Sequence, residues 1–243
     1  MLEVCRTPSL ASGRIGAFDD SGAMFSWIVR HAGQRWLYYV GWNVGTVTPW
    51  RTAIGLAMCD ERSDAPVFVR HSDGPVLDRS RSDPYFVSNP CVIVENDIWR
   101  MWYLSGLPWQ PASPQPLPRY HVCYAESRDG INWIPTGRVC IRHVHEGEVA
   151  IGRPCVLRDG DLYKMWFSYR GDAFGYRMGY AESSDGLTWT RRDQLAGLER
   201  SAAGWDSDAA AYPTVFDHGG RRYMLYGGND YSKAGFGLAV LAD

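Results

Sequence analysis

The segment Tyr124–Trp133 (YAESRDGINW) recurs as Tyr180–Trp189 (YAESSDGLTW). A sequence copied at an interval of this size marks a repeat architecture, in which each copy is one supersecondary unit and none can bury its apolar face alone. The chain is therefore expected to be an array of like sheets set around an axis. Any functional site should lie where the copies converge.

Using the duplicated segment as a ruler, four units align. Each opens with a short apolar strand: Phe25–Val29, Pro90–Val94, Pro154–Leu157 and Pro213–Phe216. A turn rich in Asn, Asp and Gly follows, supplying the positive φ angles that hairpins need. The second strands are aromatic and nearly superimposable: RWLYYVG from Arg35, WRMWYLSG from Trp99, YKMWFSYR from Tyr163 and RYMLYGG from Arg222. Apolar residues on both faces imply sheets covered on both sides. Third strands lie at Ala53–Cys59, His121–Ser127, Arg177–Ser183 and Phe236–Leu241, and in two units the Ser-x-Asp-Gly-x-x-Trp turn leads to an outer strand. Four strands per unit, repeating every ~55–70 residues, predict an all-β fold, a β-propeller of four-stranded antiparallel blades. The 243 residues form one domain, with blades at about 17–78, 84–142, 148–195 and 206–243. Residues 1–10 are expected to supply the last blade's outer strand, so that strands from both termini close the ring and remove an open edge.

Net charge is −2 and the basic residues are dispersed, which argues against nucleic acid or an anionic membrane as partner. No apolar run approaches the ~18 residues of a membrane span, and the N-terminus lacks the apolar core of a signal peptide, so a cytoplasmic location is expected. The six cysteines form no C-x-x-C pair and read as buried, reduced packing residues; Cys91 and Cys155 hold the same place in two units. His121, His143 and His145 form no metal-ligand spacing with a partner acid. No metal and no cofactor is expected.

Several motifs together resemble the five-bladed β-propeller glycosidase superfamily, which includes arabinanase/xylosidase, invertase/levansucrase and mannoside-phosphorylase families. They are Gly16-Ala17-Phe18-Asp19-Asp20-Ser21-Gly22, Tyr38-Tyr39-Val40-Gly41-Trp42-Asn43, Met101–Gly106, both copies of Tyr-Ala-Glu-Ser-x-Asp-Gly, and Gly204–Ser207. The chain is most similar to a stand-alone bacterial branch of that superfamily. Members of the branch carry a further blade upstream of the first motif, where this sequence has fifteen residues. The resemblance implies a small glycoside or glycoconjugate as substrate and a pair of carboxylates for acid/base chemistry.

Counting back from the aligned first strands, Asp19, Asp83, Glu148 and Asp206/Asp208 fall at one register, the entrance to each inner strand. A glycosidase needs one carboxylic acid to protonate the leaving oxygen and a second, ionised, to activate water or attack. By motif position the resemblance implies Asp19 as base, Glu148 as acid and Asp83 as the residue that orients and tunes them. A turn acid is the competing reading of Asp19. Arg153, before Pro154, takes the inward position held by Asn89 and Tyr212 in other units and could clamp a carboxylate or phosphate. Asp20, Trp42, Asn89, Tyr103, Arg153, Arg170, Asp206, Asp208, Tyr212 and Asn229 are the candidate substrate-binding residues. Glu126 and Glu182, being twins, are expected to hold blades together, and Asp129 and Asp185 to shape turns.

Two other function classes stay open on the sequence. One is a propeller enzyme of a biosynthetic pathway that uses the same acids as proton shuttles. The other is a binding module without catalysis, in which the inner acids would be paired with arginines. The proline-rich insertion 108–118 is too long for a plain turn and could serve as a lid. That insertion, or an open propeller edge, offers a route to a homo-oligomer.

Overall fold

The computed structural model describes residues 8–64 and 66–241. The strands described fall into four antiparallel meanders. The first blade comprises β1 (Gly22–His31), β2 (Gln34–Val44), β3 (Trp50–Asp60) and β4 (Val69–Arg70). The second comprises β5 (Val87–Glu95), β6 (Ile98–Gly106), β7 (Tyr120–Ser127) and β8 (Ile134–Ile141), and the third β9 (Glu148–Asp159), β10 (Leu162–Gly171), β11 (Arg177–Ser183) and β12 (Thr190–Arg191). A parallel bridge, Tyr120 to Ala150, links the second and third into one sheet. Among the described residues the fourth blade has three strands, β13 (Ala211–His218), β14 (Arg221–Gly227) and β15 (Phe236–Val240).

The innermost strands β1, β5, β9 and β13 pack side by side in that order. The duplicated turn explains how. The Tyr38 hydroxyl donates to the Gly130 carbonyl at 2.7 Å, and one blade later the Trp102 indole donates to the equivalent Gly186 carbonyl at 2.8 Å. Within each turn the acid caps its own loop, Asp129 accepting from the Ile131 and Asn132 amides and Asp185 from those of Leu187 and Thr188. Glu126 and Glu182 accept from Tyr124 and Tyr180 on their own strands. The repeat is thus a joint between one blade and the next.

The core is a series of interfaces between blades. Trp36, Tyr38, Ile54, Met101, Tyr103 and Trp133 fill the first, Trp102, Tyr124, Ile151, Met165 and Phe167 the second, and Trp166, Met178, Tyr180, Val215 and Met224 the third. Trp27, just past a bulge in β1, touches all three clusters and so occupies the axis. The thiols stitch inner strands together: Cys91 Sγ accepts the Val156 amide and Cys155 Sγ the Val215 amide, at 3.2 and 3.1 Å. Cys59, Cys91, Cys123, Cys140 and Cys155 are free and buried; Cys5 lies outside the described residues.

Among the described residues, no strand of the first blade is hydrogen-bonded to one of the fourth. Of the segment expected to complete the last blade, residues 1–7 lie outside the described ones, and Leu10 packs on the first blade with Leu37, Tyr39 and Phe68. The Ser9 carbonyl accepts the Phe68 amide there. On the fourth blade, Phe216, Phe236, Leu238 and Val240 present an exposed apolar face. Among the described residues no helix is long and apolar enough to cross a membrane.

Candidate functional site

Each inner strand carries a bulge at the same height, seen as register shifts at Phe25/Trp27, Ser88/Cys91, Gly152/Cys155 and Ala211/Thr214. At three of them the residue before a proline sits in the left-handed region: Asn89 at φ 43°, Arg153 at 57° and Tyr212 at 60°. Non-glycine residues there are strained, and a residue before proline is ordinarily driven to extended geometry. Such strain persists only where surrounding structure enforces it, and it concentrates at functional sites. Here the Tyr212 amide is held by the Ser168 hydroxyl of the neighbouring blade at 2.7 Å.

All three strained residues line one cavity of about 1020 Å³, at the upper end of the ~300–1,000 Å³ usual for small-molecule sites. Trp42, Thr52, Phe86, Ser88, Ser168, Arg170 and Tyr176 share the lining. Met24 and Val40 of the first blade and Leu225 and Phe236 of the fourth also line it, so all four blades contribute to the cavity. Gly22 permits the position of Trp42, since a Cβ there would lie 2.1 Å from the indole.

One wall is continuous. Arg170 lies over the Tyr120 and Tyr176 rings at 5.9 and 5.8 Å, Tyr176 meets Tyr212 at 5.4 Å, and Arg153 lies 5.9 Å over Tyr212. Tyr120 and Tyr176 share a short hydroxyl hydrogen bond, and Arg170 donates to the Pro118 carbonyl at 2.9 Å. Nη1 of Arg153 and Nε of Arg170 are buried without a hydrogen-bond partner among the described residues. Burial pulls the Arg153 pKa below its ordinary value.

Among the described residues, none that lines the cavity is Asp or Glu. The aligned acids are instead enclosed, with relative exposures of 0% for Asp19, 0% for Asp83, 5% for Glu148 and 3% for Asp206. Three receive a tyrosine hydroxyl from their own blade's second strand: Tyr39 to Asp19 at 3.0 Å, Tyr103 to Asp83 at 2.9 Å and Tyr226 to Asp206 at 3.1 Å. Burial, then the adjacent carboxylate, pushes the Tyr39 and Tyr103 phenols well above their ordinary pKa, keeping them donors. The third blade has Phe167 in place of the tyrosine, and there Arg191 takes over, holding Glu148 at 2.8 and 3.0 Å. The Val144 and His145 amides also donate to Glu148. Arg70, at the matching place on the first blade's outer strand, grips Asp19 Oδ2 at 2.8 and 2.6 Å. Oδ1 of Asp19 has no partner among the described residues and is sealed by Gly13, where a Cβ would lie 1.9 Å from it.

Of the residues expected to bind substrate, the cavity gathers Trp42, Asn89, Arg153, Arg170 and Tyr212. The others serve local structure. Asp20 accepts from the Gly16 amide, the Ser21 hydroxyl and Asn43, and the Asn43 bond above all holds its pKa down. Tyr103 is fully buried against Asp83, and Asp206 is tied to Tyr226. Asn229 accepts the Asp208 and Ala209 amides, with the Asp208 side chain outside the lining. Among the described residues no cluster of His, Cys, Asp and Glu could hold a metal ion.

No protein-family model matches the chain. Two proteins of Mycobacterium tuberculosis, the uncharacterized proteins MT1551 and Rv1502, are 43% and 42% identical to it over 241 residues, 99% of this chain and 78% of each of theirs. The chain belongs to their family. Roughly a fifth of each MT1551-family relative therefore lies outside the match. In structure the chain is similar to BT0996, solved in an RGII complex, with a TM-score of 0.74 at 20% identity over 96% of this chain and 73% of that one. It is similar also to a thermostable family-43 glycoside hydrolase, with a TM-score of 0.62 at 13% identity over 96% and 92%. In fold this MT1551-family chain is thus similar to β-propeller glycoside hydrolases, with four blades among the described residues.

The sequence reading missed Trp50, Tyr120, Tyr176 and Tyr231, which also line the cavity. A signal for them existed: each lies in or beside the connection from the second to the third strand of its unit, so the four units place one aromatic apiece over the channel. The proline-rich insertion is anchored by Trp109, which packs on Trp50 and Phe86 with centroids 4.9 and 5.4 Å away. Its Gln115–Pro118 stretch lines the cavity.

Proposed function

We propose that this chain binds a carbohydrate in the channel cavity of a glycosidase-type propeller. The observation that carries the reading is the lining itself. Trp42, Trp50, Tyr176, Tyr212 and Tyr231 offer flat apolar faces for sugar rings, and Asn89, Ser88, Thr52 and the two arginines offer polar groups that fix orientation. Strain at Asn89, Arg153 and Tyr212 supports a functional purpose for the same wall. The RGII complex of BT0996, on the same fold, is consistent with it.

Binding without hydrolysis is the reading favoured for the chain in this conformation. Hydrolysis needs two carboxyl groups about 5–10 Å apart flanking the scissile bond. The described lining supplies none, and Asp19 and Glu148 are committed to Arg70 and Arg191. One observation favours the second reading, glycoside hydrolysis with Asp19 as base: its Oδ1 is unpartnered among the described residues, so movement of the segment around Gly13 would free it.

Two measurements on one preparation test both readings. Saturable change of tryptophan fluorescence on titration with oligosaccharides, weakened by Trp42→Ala, is expected. No response to any oligosaccharide, with the protein folded, contradicts the binding reading. Turnover of aryl glycosides that disappears in Asp19→Asn and in Glu148→Gln, with both variants folded, would establish the hydrolytic one.

A further inference from the structure

We propose that the sugar this cavity accepts carries an oxyanion, a carboxylate or a phosphate, read by Arg153 and Arg170. The inference rests on the carbohydrate-binding reading and adds a charge to the ligand.

The arginines on the cavity wall differ from those that brace the blades. Arg51, Arg70, Arg191 and Arg222 each lie within 3.0 Å of a carboxylate oxygen. Arg153 and Arg170, among the described residues, make no salt bridge, yet both stand on the cavity wall. A desolvated guanidinium without a counter-charge is costly, and a buried nitrogen without a partner adds to the cost. Both side chains reach the cavity wall, where a bound anion would supply the missing counter-charge. Nη1 of Arg153 and Nε of Arg170 are among the buried atoms without a partner in the described residues, with Nε of Arg100 and of Arg119.

The two residues stand on one wall. The sequence Arg170, Tyr176, Tyr212, Arg153 runs along a single wall at spacings of 5.8, 5.4 and 5.9 Å. With no acid among the described lining residues, the lining carries a net positive charge, which a neutral sugar does not use. The planar fork of arginine matches carboxylate and phosphate bidentately, so either group fits this chemistry.

The test is a calorimetric titration with matched oligosaccharides in three forms: neutral, uronic-acid-bearing and phosphorylated. At least one acidic form is expected to bind about tenfold or more tightly than its neutral parent, the strength of a charge-assisted hydrogen bond. That preference should shrink with added salt and vanish in Arg153→Met, while Arg153→Lys retains part of it. Which acidic form gains identifies the oxyanion. Circular dichroism and thermal melts of each variant separate loss of binding from loss of fold, and the preference of the unaltered protein requires no variant. Equal affinity for neutral and acidic forms, unaffected by Arg153→Met, overturns the inference and leaves carbohydrate binding standing. No binding of any form overturns both.

Discussion

Arg191 holds both oxygens of Glu148, at 2.8 and 3.0 Å, from the far edge of the third blade. Its side chain is 9% exposed and that of the glutamate is not exposed at all. The pair spans β9 to β12 and braces the blade across its width. Removing one member of such a buried pair strands the other charge and costs about 3–5 kcal/mol. Arg191→Met is therefore expected to destabilise the protein by that amount in guanidinium unfolding, and Arg191→Met with Glu148→Gln by less than the sum of the single changes. An Arg191→Met variant as stable as the parent would remove the brace from the description.

The tyrosine-to-acid bond makes a graded comparison across blades. Tyr103→Phe leaves Asp83 with the Ser80 hydroxyl alone and is expected to cost about 1.5–3 kcal/mol, the range for hydrogen bonds to charged groups. Tyr39→Phe should cost less, because Arg70 still neutralises Asp19. Phe167→Tyr, which inserts the missing hydroxyl beside an acid already satisfied by Arg191, should give no gain. Chemical denaturation of the three variants side by side measures the order.

These braces mark how far the sequence could be read. Strand positions, the turn-shaping role of Asp129 and Asp185 and the inward register of Asn89, Arg153 and Tyr212 all follow from aligning the units, because repetition exposes whatever the architecture requires of every blade. The same alignment picked out Asp19, Asp83, Glu148 and Asp206 for chemistry. Their recurrence has a packing cause: each second strand needs its aromatic hydroxyl, or Arg191 in its place, satisfied at that height. Repetition is evidence for structure first, as it was for Glu126 and Glu182. What alignment could not reveal is which way a carboxylate turns, since Asp19 faces Arg70 from a strand 51 residues away.

His121 gives the molecule a pH dependence of known sign. Burial, reinforced by the charge of His143, pulls its pKa down to about 4 from 6.5. Above 6.5 both folded and unfolded chains carry it neutral, and its contribution to stability is fully present. As pH falls below 6.5 the unfolded chain takes up the proton first, so stability declines until the folded pKa near 4 is passed. His121→Gln is expected to flatten that part of the curve of unfolding free energy between pH 6.5 and 4. Identical slopes for parent and variant would contradict it.

The buried thiols predict silence. Burial raises the pKa of Cys123 and Cys155 to about 12 and that of Cys91 well above its ordinary value. Thiolate is the reactive form, so these cysteines should not react with a disulfide reagent in the folded protein. In a Cys5→Ser background, Cys91, Cys123 and Cys155 are expected to stay unreacted in native protein, while denatured protein releases five equivalents, matching the five described free cysteines. Fast reaction of the native form would show that the inner strands separate readily.

The most direct measurement is a crystal structure with an oligosaccharide bound. A sugar ring seated in the cavity against Trp42 and Tyr212, with Arg153 and Arg170 on its polar edge and the Asp19–Arg70 and Glu148–Arg191 pairs intact, is the predicted result. A sugar bound between freed Asp19 and Glu148 carboxylates would contradict it and restore hydrolysis as the function of the site.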